Sequence, residues 1–93
     1  MKKGRLFHLD DCPYCHYAKR AIKELVQENA AYGTIDVQWI EENRHSELSS
    51  HYFYYYVPTI FYGDEKLYEA HPSEDFSDVK EHIRAAFDKV LEK

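Results

Sequence analysis

The sequence predicts an α/β domain in which a four-stranded mixed sheet is flanked by helices, in the order β-α-β-α-β-β-α. Three observations carry this reading. The tetrapeptide Cys12-Pro13-Tyr14-Cys15 separates a short apolar run from a segment of helical periodicity. Apolar and polar residues alternate from Ile35 to Trp39, as on a half-buried strand. Two strand-like stretches meet at Gly63-Asp64, the signature of a hairpin.

Each element follows from local pattern. Arg5 to Leu9 reads as a short buried first strand, with Lys2, Lys3 and Arg5 flanking it. The helix that follows begins at the motif. Pro13 suits its first turn because the missing N–H has no intrahelical partner there. Ala18, Ala21, Ile22, Leu25 and Val26 recur at helical spacing and define one buried face. Gly33 ends the connection to the second strand, and strand–helix–strand in this order makes a right-handed parallel unit. Between Glu41 and Tyr56 the pattern is weaker: Asn43 or Ser46 caps a short helix holding Leu48, Tyr52 and Phe53 on one side. Thr59 to Tyr62 forms a strand bounded by Pro58, and Lys66 to Glu69 is its return arm. Pro72-Ser73 opens a last helix whose apolar stripe is Phe76, Val79, Ile83, Ala86, Phe87, Val90 and Leu91.

Ninety-three residues suit one domain, 1–93, with one modest core. A net charge of −5 argues against a nucleic-acid partner, which would need a basic patch. No run reaches a membrane span and none has signal-peptide length, so the expected location is cytoplasmic; for a chain of this size with a charged surface the expected state is monomeric. There are only two cysteines, three residues apart. In a reducing compartment such a pair is catalytic or metal-binding rather than structural. At a helix start both thiols share one face, where backbone N–H groups and the dipole favour a thiolate. Cys12, outside the first turn, is the better attacker; Cys15, one turn in, is the more buried. Exchange then runs through a mixed disulfide on Cys12 that Cys15 displaces.

The motif, the element order and Val57-Pro58-Thr59 together resemble the glutaredoxins, within the thioredoxin-like fold, over essentially the whole chain. The resemblance implies a thiol–disulfide oxidoreductase with Cys12 as nucleophile and Cys15 as resolving thiol. It further implies a cis Val57–Pro58 peptide bond lying against the cysteines, the Val57 backbone facing an extended substrate. Tyr14, Val57, Pro58, Tyr56, Ser73 and Asp75 are the candidate substrate contacts. Expected partners are a disulfide-bearing protein or small molecule, with glutathione or a thioredoxin reductase as electron donor. No bound cofactor and no metal is expected, glutathione being a possible co-substrate.

This chain departs from the family in two places. Asp10 and Asp11 stand where dithiol glutaredoxins carry a basic residue, and carboxylates oppose a neighbouring thiolate. The Gly-Gly pair that binds glutathione's backbone is replaced by Tyr68-Glu69-Ala70-His71-Pro72-Ser73-Glu74-Asp75. There Ser73 can cap the helix or offer its hydroxyl to a ligand carboxylate, and Asp75 stands in for the family's Asp.

Other readings compete. Cys12 to His16 fits the C-x-x-C-H haem pattern, but the sole methionine is Met1, leaving no downstream axial Met. Structural zinc needs four ligands and only one cysteine pair exists. His8 is a titrating neighbour of the motif or a strand-end histidine without a role. Lys19 and Arg20 either attract an anion or form a solvated helix face. In the run Tyr52 to Tyr56, alternate rings are core, with Tyr52 and Phe53 favoured, while Tyr55 or Tyr56 offers a docking surface for a peptide or disulfide. The alternative function is a non-enzymatic thioredoxin-like module that binds a metal or partner through its cysteines.

Overall fold

A computed structural model describes residues 2–92; Met1 and Lys93, included in the expected domain, lie outside the described residues. The elements are β1 (Lys2–His8), α1 (Pro13–Glu28), a 3-10 turn (Ala30–Thr34), β2 (Ile35–Glu41), α2 (Ser46–Ser49), β3 (Thr59–Tyr62), β4 (Glu65–Glu69) and α3 (Phe76–Glu92). They build the expected α/β architecture, a four-stranded mixed sheet ordered β2-β1-β3-β4. Strand β1 pairs parallel with β2, with Leu6 opposite Trp39, and antiparallel with β3, with Leu6 opposite Ile60. Strands β3 and β4 form the hairpin, with an irregularity between Ile60 and Phe61. Gly63 turns it with φ +61°, a conformation that costs a side-chain-bearing residue and not glycine.

The period of two along β1 sends Leu6 to one face and Phe7 to the other, each fully buried. Leu6 joins Ala18, Ala21 and Leu25 of α1, Ile60 of β3, and Val79, Ile83 and Phe87 of α3 in the main core. The two helices are also tied by Lys80, whose Nζ reaches Glu24 Oε1 at 3.0 Å and also Glu28. Phe7 joins Ile40 and Phe61 in a smaller cluster covered by Leu48, Tyr52, Tyr54 and Val57. The Tyr52 and Tyr54 rings lie 5.0 and 5.1 Å from that of Phe7. Among the described residues no helix is long and apolar enough to cross a membrane.

Five sequence expectations need correction. Strand β1 begins at Lys2 rather than Arg5 and ends at His8, because Lys2 to Gly4 already pair with Ile35 to Val37. Lys2 itself donates to the Val90 and Leu91 carbonyls at 2.9 and 3.0 Å, satisfying acceptors that the end of α3 leaves open. Val26 is exposed at the helix edge, where its Cγ1 approaches Gly33 rather than the core. Helix α2 has four residues and no side-chain cap, its N-cap position being His45; the Asn43 N–H is turned to Glu41 Oε1 instead. Phe53 is exposed, because strict alternation from Tyr52 sends Tyr54, and not Phe53, to Phe7. Helix α3 starts at Phe76, since Ser73 takes φ +75° and cannot enter a right-handed helix.

Ile83 is fully buried between α3 and the sheet. Its truncation in Ile83→Ala should lower unfolding free energy by about 2–5 kcal/mol with an unchanged urea m-value, measured by equilibrium denaturation.

Candidate active site

The end of β1 delivers the chain to the motif, and the first turn of α1 fixes both sulfurs. Cys12 is the N-cap of α1, in extended conformation (φ −96°, ψ 118°), with Pro13 at the next position. Its Sγ accepts the Cys15 N–H at 3.2 Å, and its carbonyl accepts the His16 N–H at 3.1 Å. A sulfur here takes the place of the Ser, Thr or Asp oxygen that usually caps a helix. The Cys12 side chain is half-buried and Cys15 is buried; both are free thiols. Burial, joined by the hydrogen bond to the Cys12 sulfur, pushes the Cys15 thiol strongly up. Cys15 therefore keeps its proton until something takes it.

The Val57–Pro58 bond is cis, and the Val57 carbonyl oxygen lies 3.5 Å from Cys12 Sγ. Val57 is half-buried and Pro58 buried, so the backbone of Val57 is the second wall of the site. Tyr56, next in line, is half exposed. Its carbonyl accepts the Thr59 hydroxyl, while the Tyr55 and Tyr56 N–H groups donate to Glu69 Oε2 at 2.6 and 2.8 Å. Glu69 Oε1 also holds Lys66 at 2.6 Å. Burial works against ionisation of Glu69, but Lys66 and the two N–H groups outweigh it and hold the carboxyl below its ordinary range.

The third wall is the turn before α3. Ser73, in the left-handed region, donates its N–H to the Tyr14 hydroxyl at 2.8 Å, tying that turn to the motif. A serine thus adopts a conformation for which glycine is the usual residue. Glu74 is nearly buried and gathers three partners: the Tyr68 hydroxyl at 3.0 Å, the His71 N–H at 2.6 Å and His82 Nδ1 at 2.7 Å. Burial and then Glu74 push the Tyr68 phenol up. Asp75 Oδ1 accepts the Asp78 N–H at 2.8 Å, and Asp78 Oδ2 accepts the Asp75 N–H at 3.3 Å, a reciprocal cap on α3.

The structure thus gathers Cys12, Cys15, Val57 and Pro58 at one place, with Tyr14 joined to Ser73 and with Tyr56 directly preceding Val57. The Asp75 carboxylate is engaged with its own helix. Of the two carboxylates ahead of the motif, Asp10 is paired with Arg44 at 2.7 Å, which offsets its charge. Lys19 lies over the Trp39 ring and Arg20 over that of Phe76, at 5.9 and 4.0 Å, so both face aromatic surface. His8 is buried against Trp39; burial first and Lys19 next depress its pKa. Sequence reasoning did not find Arg44, Glu69 or Glu74. Arg44 sits in the stretch of weakest pattern. The two glutamates look like surface acids until the backbone N–H groups they accept are known. Among the described residues no group of three or more His, Cys, Asp or Glu is assembled for a metal.

The glutaredoxin family model matches residues 5–67, more than half of the chain. The chain belongs to the glutaredoxin family. Its architecture is the thioredoxin fold, shared with solved structures of low sequence identity. Thioredoxin 1 from Thermosipho africanus TCF52B matches with TM-score 0.59 and 17% identity, covering 98% of this glutaredoxin-family chain and 99% of that one. A mutant thioredoxin from Halobacterium salinarum NRC-1 matches with TM-score 0.57 and 22% identity, covering 91% and 74%. A malarial protein matches with TM-score 0.63 and 17% identity, covering 96% of each chain. No curated protein matches the sequence significantly.

The buried thiol gives a pH dependence of definite sign. An unfolded Cys15 ionises near the ordinary thiol value of about 8.5, while the native one keeps its proton. Above that pH the unfolded chain binds fewer protons, so the reduced protein loses stability as pH rises, by up to about 1.4 kcal/mol per pH unit. Urea midpoints of the reduced protein at about pH 7.5 and about pH 9.5 should show a smaller fall in Cys15→Ala than in the parent.

Proposed function

We propose that this thiol–disulfide redox module is an enzyme that reduces protein or mixed disulfides by dithiol exchange. The observation that carries the proposal is the position of the Cys12 sulfur. It caps α1, receives the Cys15 N–H and faces the Val57 carbonyl, with the second thiol packed directly behind it. In the first step the Cys12 thiolate attacks one sulfur of a substrate disulfide. A Cys12–substrate bond forms, the substrate S–S bond breaks, and the other substrate sulfur leaves as a thiolate that takes a proton from water. In the second step Cys15 gives up its proton and its thiolate attacks the Cys12 sulfur. The Cys12–Cys15 disulfide forms and the second substrate thiol is released, so the substrate is reduced by two electrons and the protein oxidised.

Two electrons from glutathione, or from a thioredoxin reductase, then restore the dithiol. At the start of α3 the Asp78 N–H is engaged by Asp75 Oδ1, and Glu74 occupies the His71 N–H. The carboxylates of Glu74, Asp75 and Asp78 gathered there oppose a further carboxylate, which supports a donor that needs no carboxylate-binding contacts at this helix. The residues that bind in this reading are Tyr14, Tyr56, Val57 and Pro58 around the cysteines, with Ser73 and Asp75 shaping the α3 side.

Cys15→Ser should accumulate a covalent Cys12–substrate mixed disulfide visible by mass, whereas Cys12→Ser should form none and lose turnover. Assays with glutathione plus its reductase, and separately with a thioredoxin reductase, should identify the donor. If alkylation after air oxidation finds both thiols still free, or if both are held by a metal, the reading is wrong and a binding module remains.

A further inference from the structure

Alternation from Tyr52 to Tyr55, broken at Tyr56, leaves three aromatic rings outside the fold. Phe53, Tyr55 and Tyr56 are 72, 77 and 50% exposed, while Tyr52 and Tyr54 are packed on Phe7. Isolated exposed aromatics are ordinary, but here three fall within four consecutive residues that directly precede the residue facing the Cys12 sulfur. They are also organised. The Phe53 and Tyr55 rings meet edge to face at 5.2 Å. Glu69 accepts the N–H groups of both Tyr55 and Tyr56 through a single oxygen, at 2.6 and 2.8 Å. The hairpin thus fixes, by one carboxylate, the backbone that carries the rings.

We propose that Phe53, Tyr55 and Tyr56 form a ledge that docks the extended polypeptide flanking a substrate disulfide, with Glu69 as the positioning residue that presets it. The proposal rests on the oxidoreductase reading and names its substrate class: protein disulfides with apolar side chains beside the reactive cysteine. Two observations select that occupant. The backbone that carries the ledge runs directly into Val57, whose carbonyl oxygen lies 3.5 Å from Cys12 Sγ, so it borders the place where a substrate chain is attached. And the segment 52–58 contains no Lys or Arg, while the nearby Lys66 is held by Glu69. Rings without a cation suit apolar side chains and not the two carboxylates of a small anionic disulfide.

The test compares kcat and KM on insulin disulfides and on bis(2-hydroxyethyl) disulfide, with the full chain and the same electron donor. Phe53→Ala and Tyr55→Ala remove exposed rings, so their folding is checked simply by melting temperature. Each should lower the ratio of kcat/KM for insulin to that for the small disulfide by about fivefold, through KM. Glu69→Ala should do the same, and Glu69→Gln, whose amide oxygen still accepts an N–H, should recover part of the ratio. Equal losses on both substrates, or a ratio unchanged in both ring variants, overturn the ledge. So does sedimentation showing that a second copy of the chain covers it. A parent protein that reduces neither disulfide overturns the oxidoreductase reading instead.

Discussion

A helix needs something at its first position to accept the N–H groups that its own carbonyls cannot reach. In this chain that acceptor is the sulfur of Cys12, and the rest of the site is arranged around the choice. The sulfur must stand outside the first turn, where a ligand can approach it. The residue that donates to it is Cys15, whose own side chain, one turn on, points into the protein. Pro13 occupies the position whose N–H would have had no partner. A single capping geometry therefore separates two chemically identical side chains into one that is reachable and one that is buried and holds its proton.

The other two walls are built by carboxylates that accept backbone N–H groups. Glu69 does this for the aromatic segment, Glu74 for the turn that touches Tyr14, and Asp75 with Asp78 for the start of α3. Each satisfies donors that irregular backbone would otherwise leave open next to a partly buried site. Loops between regular elements are usually the least determined part of a fold. Here the two that matter are fastened by side chains from the hairpin and from α3. These acids hold the backbone of the site in place.

Much of this was readable in the sequence. The cysteine pair, Pro13, the alternation in β2 and the Gly63 turn are local signals, and local physics decides them. The order of elements follows once those are placed, and the parallel pairing of β1 with β2 follows from the order, whereas the place of β3 beside β1 is a tertiary outcome. The stretch from Glu41 to Tyr56 was poorly legible because its structure is decided by tertiary contacts. Leu48, Tyr52 and Tyr54 are fixed by Phe7, far earlier in the sequence, and α2 is too short to carry a helical period. The start of α3 was misplaced because Ser73 adopts a backbone conformation that its residue type does not advertise. Arg44 pairing with Asp10, and Glu69 with the tyrosine backbone, are contacts between segments distant in sequence, and neither leaves a trace in spacing or composition.

Trp39, the chain's one tryptophan, sits at the rim of this arrangement. Its indole meets His8 edge-on at 5.5 Å and lies under the Lys19 ammonium. His8 closes β1 four residues ahead of Cys12, and Lys19 is one turn beyond Cys15. The protein consequently carries an intrinsic fluorophore wired to both flanks of its redox motif. Emission from Trp39 offers a label-free optical signal for events at the motif, since a charged imidazole quenches an adjacent indole and any shift of α1 would move the ammonium above it.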